Sequence, residues 1–308
     1  MKKAIITGAT GLVGLSVAKY LSNKGVHVLC LGRKQLSNTE ISNKFGSVNI
    51  EYLSIKMEDI LSLTEEINKI GWIPGKSCVF YNFAWGGHDK LTDGNFQDQF
   101  NNAIYCSNAV LSAKNLGCTK FINSGTLEET YAEGFLKDTK KNTPYTSSQT
   151  DYTISKLASR DMCKMVSYLE KIDYIHTRLS VPLDSQLKYG GYISSVLTKI
   201  NDDIPYEKPN NTQLFDIILI EDVSKAFYLI GMKGKNKADY FVGTSQPKTL
   251  RQYFEIFEQS KKGIIHKTGY RKSNKLENKI FSIVNLINDT GFELSSNFEE
   301  FIKTLNKS

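Results

Sequence analysis

Cysteine is scarce in this chain of 308 residues, and the five present are scattered. Cys30, Cys78, Cys106, Cys118 and Cys163 are odd in number, widely spaced and set in apolar segments, which fits neither a disulfide framework nor a metal-binding C-x-x-C pattern. A reducing, cytoplasmic compartment is therefore expected. The four histidines, His27, His88, His176 and His266, have no metal-ligand spacing, and no metal site is expected. Arginine is scarce too: Arg33, Arg160, Arg178, Arg251 and Arg271 are five among 39 cations. Surfaces that read bases or grip nucleic-acid phosphates rely on clustered, bidentate arginine, so the net charge of +7 does not by itself point to a nucleic-acid partner. No apolar run approaches the ~18 residues that a membrane span requires. The run after Met1-Lys2-Lys3 is broken by Gly8, Gly11 and Gly14 and leads to no small-residue cleavage site, so no signal peptide is expected. Repeats and low-complexity tracts are lacking.

What is present is an ordinary soluble mixture, 40% hydrophobic and 23% charged, with a length that suggests about two structural units. Short β-branched or aromatic runs read as strands at Ala4–Thr7, Val26–Leu31, Ile50–Leu53, Cys78–Phe83, Lys120–Asn123 and Tyr174–Leu179. Helical periodicity fills the gaps at Val13–Lys24, Glu58–Lys69, Phe96–Asn115 and Asp151–Glu170. Strict alternation, with strands apolar on both faces, predicts an α/β fold: a doubly wound parallel sheet covered by helices on each side. After Leu179 the rhythm loosens into short helices and strands, too irregular for a second sheet of any size. The expected organisation is a dinucleotide-binding domain of residues 1–180 plus 212–245, and a small, mostly helical C-terminal substrate cap of residues 181–211 plus 246–308.

Thr7-Gly8-Ala9-Thr10-Gly11-Leu12-Val13-Gly14 follows the first strand and opens the first helix. Glycines there let the backbone approach a pyrophosphate, while exposed N–H groups and the positive helix end hold its charge. The position of the loop between strand and helix points to dinucleotide binding. At the end of the second strand, Cys30-Leu31-Gly32-Arg33-Lys34 has glycine where an acid would accept hydrogen bonds from the adenosine ribose. Gly32 is expected to leave room for a 2′-phosphate and Arg33 and Lys34 to pair with it, which favours NADP(H), with NAD(H) as the alternative. Tyr152 and Lys156 stand four residues apart on one predicted helix face, after a strand ending in Ser124-Gly125-Thr126. Strand C-termini form the ligand-binding edge of such a sheet, so the three groups can converge on one carbonyl oxygen.

In that combination the chain resembles the extended short-chain dehydrogenase/reductases, the NAD-dependent epimerase/dehydratase type, in the nucleotide-sugar branch, with a Rossmann-type domain. The resemblance implies that Tyr152 is the catalytic acid/base. It implies that Lys156 holds the nicotinamide ribose and lowers the phenol pKa, and that Thr126 hydrogen-bonds the substrate oxygen. It implies cofactor contacts from Gly8, Thr10, Gly11, Leu12, Val13, Gly14, Arg33, Lys34, Met57, Phe83, Ala84 and Trp85 as well as from Tyr152 and Lys156. Asn102, with Asn108 six residues on, matches the family's mid-helix asparagine; Gln213 to Val223, Lys248 to Arg251 and Asp289 to Phe292 resemble later signatures. Three positions depart from the pattern: Lys56-Met57 replaces an acid and an apolar residue beside the adenine, Phe215 replaces a pyrophosphate-binding arginine, and Val181-Pro182-Leu183 replaces an asparagine-containing turn. Arg251 and Arg271 are the candidates to take over the diphosphate, and His88, Thr126 and Gln213 complete the expected substrate contacts.

The activity expected from this resemblance is NADPH-dependent reduction of a nucleotide-linked 4-keto-6-deoxy sugar, a 4-ketoreductase with Tyr152 as proton donor. A 4-epimerase using the same three residues is the runner-up, and dehydration ranks behind it because Glu128 and Glu129 are offset by one from the dehydratase pattern. A catalytically silent NADP-binding sensor is the reading from another class. A nucleotide-diphosphate sugar is the expected partner, with neither nucleic acid nor membrane, and relatives imply a homodimer formed through the helices Phe96–Asn115 and Asp151–Glu170.

Overall fold

The alternating runs become a layered α/β structure in the computed structural model, which describes residues 1–75, 77–87, 95–138, 150–184, 186–187, 191–210, 213–263, 280–295 and 298–305. The chain runs β1 (Lys3–Thr7), α1 (Leu12–Asn23), β2 (His27–Gly32), α2 (Asn38–Phe45) and β3 (Ile50–Ser54). A 3-10 turn (Met57–Ser62) leads into α3 (Leu63–Lys69), β4 (Cys78–Asn82), α4 (Phe96–Asn115), β5 (Lys120–Thr126), α5 (Glu128–Lys137), α6 (Thr150–Glu170) and β6 (Asp173–Leu179). Beyond these lie β7 (Val181–Leu183), α7 (Tyr192–Asn201), β8 (Leu214–Phe215), β9 (Ile217–Leu219), α8 (Ile220–Lys233), β10 (Asp239–Val242), β11 (Lys248–Thr249), α9 (Leu250–Lys261), α10 (Val284–Thr290) and α11 (Phe298–Leu305).

Seven strands form one sheet in the order β3-β2-β1-β4-β5-β6-β10, every neighbouring pair parallel. The order reverses between β1 and β4, and the crevice at their C-terminal ends is where such sheets take ligands. Strand periodicity divides the core. Ala4 and Ile6 of β1 join Leu15, Val17 and Leu21 of α1 and Val223, Phe227 and Ile230 of α8 on one face, whereas Ile5 points to the other, with Leu63 and Ile67 of α3 and Cys106, Ala109 and Val110 of α4. Both faces are covered, so the strands read as continuous apolar runs rather than alternating ones. Burying Phe80, Phe121 and Phe227 completely contributes roughly 2–3 kcal/mol each.

A third apolar cluster lies outside these two layers. Leu183, Val196, Leu197 and Ile200 pack with Ile217, Tyr253, Phe254 and Phe257 and with Phe298, Phe301 and Ile302. The two-stranded pairs β7 with β9 and β8 with β11 frame it. Phe281, Ile283, Leu286 and Phe292, from the stretch expected in the cap, pack instead in the first core beside α8. Among the described residues, no helix is long and apolar enough to cross a membrane, and no three His, Cys, Asp or Glu residues form a metal-sized group.

Candidate active site

The glycine loop is shaped by how closely β1 approaches β4. Gly8 has φ +65°, and a Cβ there would stand 2.8 Å from the Ala84 nitrogen, so neither the backbone angle nor the space tolerates a side chain. Thr7 ties the same two strand ends together. Its hydroxyl donates to Asn82 Oδ1 at 2.7 Å and accepts the N–H groups of Phe83 and Ala84, both at 3.1 Å. Gly11 caps α1 in an extended conformation without a side-chain cap, and Leu12, Val13 and Gly14 form the first helical turn. Their N–H groups and the positive end of a 12-residue helix fit a pyrophosphate. The residues present thus suit a dinucleotide.

At the end of β2, the structure corrects one expectation. The space beside Gly32 is filled: a Cβ there would lie 2.6 Å from the Tyr52 hydroxyl and 3.2 Å from Thr10 Cγ2. Tyr52 reaches over from β3 and donates to the Lys34 carbonyl at 2.6 Å, so glycine at 32 serves the phenol rather than leaving room for a phosphate. Arg33 and Lys34 are exposed beyond it. Met57 opens the 3-10 turn half-buried against the second core, while Lys56 is drawn to Glu58 at 2.9 Å.

The segment after β4 is fastened by α4. Asn102 accepts the Gly86 N–H at 2.9 Å and returns a bond to the Gly86 carbonyl at 3.2 Å, and Gln99 Oε1 accepts the Trp85 indole N–H at 2.7 Å. Phe83 turns its ring inward, 4.8 Å edge-on to Phe227, so it offers the cleft only backbone. Trp85 is held against α6.

Tyr152 and Lys156 lie one turn apart on α6, and Trp85 bridges them: its ring is 5.8 Å from that of Tyr152, edge to face, and Lys156 Nζ stands 3.9 Å over its centroid. Nζ also donates to the Ser124 carbonyl at 2.9 Å. Burial pushes the Tyr152 phenol well above its ordinary pKa; a hydrogen bond with Thr126 pulls it down, and the Glu129 and Glu128 carboxylates push it up again. Burial lowers Lys156, opposed by Cys106, Glu129 and Cys163. Thr126 is the group that acidifies the phenol, and the Lys156 ammonium is turned toward Ser124 and the indole.

Of the substrate candidates, Gln213 reaches the site, with Nε2 3.5 Å from Glu128 Oε1. Arg251 does not: it is exposed, and its Nε donates to the Pro209 carbonyl at 3.1 Å. His88 and Arg271 lie outside the described residues. Phe215 is half-buried beside the third core. Two features escaped the sequence reading. Asn82 Nδ2 donates to Asn123 Oδ1 at 3.0 Å and Asn123 Nδ2 to Ser159 Oγ at 3.5 Å, a polar line through the sheet to α6. Glu129 meets His176 at 2.8 Å in full burial. The signal for both was a polar residue inside a strand otherwise apolar on both faces.

The model of the NAD-dependent epimerase/dehydratase family matches residues 4–243. The chain belongs to that family. The members most similar in structure include a UDP-glucose 4-epimerase of Thermotoga maritima solved with UDP-glucose, 16% identical, TM-score 0.74, covering 99% of this chain and 97% of that one. A UDP-N-acetylglucosamine 4-epimerase of Methanobrevibacter ruminantium, in complex with UDP-N-acetylmuramic acid, is 17% identical at TM-score 0.72, with 99% and 97% covered. The Bordetella bronchiseptica enzyme WbmH, in complex with NAD+, is 17% identical at TM-score 0.68, with 98% and 96% covered. Compared by sequence with curated proteins, the chain has no match. Membership makes it an NAD(P)-dependent oxidoreductase-type enzyme, and the likeness in fold to these solved structures extends over 98–99% of the chain.

Proposed function

We propose that this family member is an NADPH-dependent reductase of a nucleotide-linked 4-keto-6-deoxy sugar. The observation that carries the reading is the β2 turn, where no acid stands to accept the ribose hydroxyls and two exposed cations, Arg33 and Lys34, follow Gly32. A reductase must release and rebind its cofactor, and NADPH is the cell's usual reductant. With its pyrophosphate held at the glycine loop and the N-terminus of α1, a bound NADPH would supply the hydride. Tyr152 donates its proton to the keto oxygen as the carbon takes the hydride, so the ketone becomes an alcohol with charge balanced. Thr126 holds that oxygen while negative charge develops on it. Lys156, held between the Trp85 ring and the Ser124 carbonyl, would orient the ribose on the nicotinamide side of the cofactor. Gln213 and Glu128, 3.5 Å apart, would bind sugar hydroxyls, and the third apolar cluster would back the cap that selects the nucleotide.

Incubation with NADPH and 4-keto-6-deoxyglucose linked to dTDP, UDP, GDP or CDP tests the reading. Loss of absorbance at 340 nm should match the alcohol formed, one for one. Interconversion of 4-epimers with no net cofactor consumption would establish the second reading, a 4-epimerase, which the solved relatives favour because several are 4-epimerases. The same proposal includes a cytoplasmic setting, suited to five buried free cysteines, and a homodimer. Ile104 on α4 and Met165, Tyr168 and Leu169 on α6 are exposed apolar residues on the two helices that would meet a partner copy. Sedimentation at micromolar concentration should give twice the 34.7 kDa chain mass.

A further inference from the structure

Below the reacting end of the cleft lies an acid–base pair that the proposed reaction leaves unused. Glu129, in the first turn of α5, is fully buried. Its Oε1 accepts the Thr126 N–H at 2.9 Å, and its Oε2 lies 2.8 Å from His176 Nε2. His176 is 2% exposed. Its other ring nitrogen is 3.2 Å from the Tyr174 hydroxyl, which donates to the Arg160 carbonyl at 3.3 Å. In the strand register His176 stands opposite Asn123, three positions before Thr126, so the imidazole holds the interior side of the carboxylate and Thr126 the cleft side. The neighbouring backbone is cut to fit: a Cβ on Gly125 would collide with both Glu129 Oε1 and His176 Nε2. A carboxylate taken out of water is costly unless every lone pair is used, and a position this fully determined serves more than packing.

We propose that Glu129 and His176 form a buried positioning pair that fixes Thr126 at the cleft, with the ionised Glu129 carboxylate bonded to the backbone of the residue that faces the Tyr152 phenol. Burial opposes ionisation of Glu129, but the His176 imidazole, the Thr126 N–H and Lys156 outweigh it and hold the carboxyl below its ordinary range. The phenol meets Thr126 from β5, Glu128 and Glu129 from α5, the Trp85 ring from the segment after β4, and Lys156 from its own helix. Around Glu129 the charged and titratable groups are His176, Arg178 and Tyr174 of β6, and Lys156 and Tyr152 of α6. Among these, Glu129 is the buried anion bonded directly to the backbone of the residue that hydrogen-bonds the phenol. The inference rests on Tyr152 as the proton donor of the proposed reduction.

Its test needs no sugar substrate, so failure of the ketoreductase assignment leaves it standing or falling by itself. Phenolate absorbance at 295 nm is titrated in the NADP+ complex up to pH 11, with the Tyr152→Phe spectrum subtracted to isolate one phenol. Glu129→Gln keeps an acceptor for Thr126 and removes the charge, and its phenolate should emerge about one pH unit lower than in the unaltered protein, the order of effect a neighbouring unit charge has in a partly polar interior. A merely structural role would not move that midpoint. Because burial holds the Tyr152 phenol well above its ordinary range, the unaltered protein should show little of that phenolate at pH 11 and Glu129→Gln more; no excess in Glu129→Gln at any pH up to 11 overturns the proposal. His176→Gln supplies a second arm should the first variant not fold: it keeps a donor to Glu129, so the phenol midpoint should stay or rise, and a fall overturns the proposal.

Discussion

Thr7→Val is the substitution whose cost can be worked most directly from the structure. It preserves shape and removes one hydroxyl, at a residue 1% exposed, and that hydroxyl makes three hydrogen bonds. Asn82, 2% exposed, loses the donor to its amide oxygen, and orphaning a buried acceptor costs about 2 kcal/mol. The Phe83 and Ala84 N–H groups are half-buried and regain water in part, so roughly 0.5 kcal/mol each is a fair allowance. The total is about 3 kcal/mol, visible as a lower urea midpoint at unchanged slope. Because Phe83 to Trp85 border the cofactor cleft, the variant should also bind NADPH more weakly, by about tenfold if 1.4 kcal/mol of the loss is expressed as loosening of that segment. A stability change below about 1 kcal/mol together with unchanged NADPH affinity would refute the role given to Thr7.

Tyr152→Phe should lower turnover at least about a thousandfold, the upper part of the range for losing a general acid, while the NADPH dissociation constant stays within about twofold; preserved turnover would sink the catalytic assignment. Replacing Arg33 and Lys34 together by Ala should weaken NADPH about tenfold or more and leave NADH unchanged in fluorescence titrations, and equal weakening of both would show that neither side chain reads the 2′-phosphate. Asp216 is buried, which raises its carboxyl from 3.8 to about 6 despite bonds from the Thr244 and Ser245 N–H groups at 2.9 Å. Between those values the folded state binds more protons than the unfolded one, so stability should fall as pH rises from about 4 to about 6, by up to roughly 3 kcal/mol. Urea midpoints across that window should decline for the unaltered protein and flatten for Asp216→Asn; matching profiles would remove Asp216 as the cause.

The doubly wound sheet was legible because its strands announce themselves as apolar on both faces and its main helices as long and periodic. The helices missed by that reading lack such a signal. α5 buries only Glu129 and Ala132, and α2 only Phe45, so neither has an apolar stripe; α2 is specified instead by the capping box of Ser37 and Glu40, a four-residue pattern easily passed over. In the site, Tyr152, Lys156 and Thr126 could be found because they lie on consecutive elements at one sheet edge. The role of Gly32 could not, since it depends on Tyr52, a phenol from the next strand that reaches two positions past its own partner, Cys30. Glu129 and His176 are 47 residues apart, and nothing local to either names the other.

The chain contains two tryptophans, and they occupy opposite rims of the sheet. Trp72 lies under Lys3 and beside His27, the first residues of β1 and β2, whereas Trp85 follows the last residue of β4 and sits against Lys156. A five-residue strand separates the rims by about 17 Å. Reduced nicotinamide absorbs where indole emits, so a dinucleotide in the cleft receives excitation from a near lamp and a far one at the same time. The fold thereby contains its own optical ruler, graduated by a single strand and built from no added label.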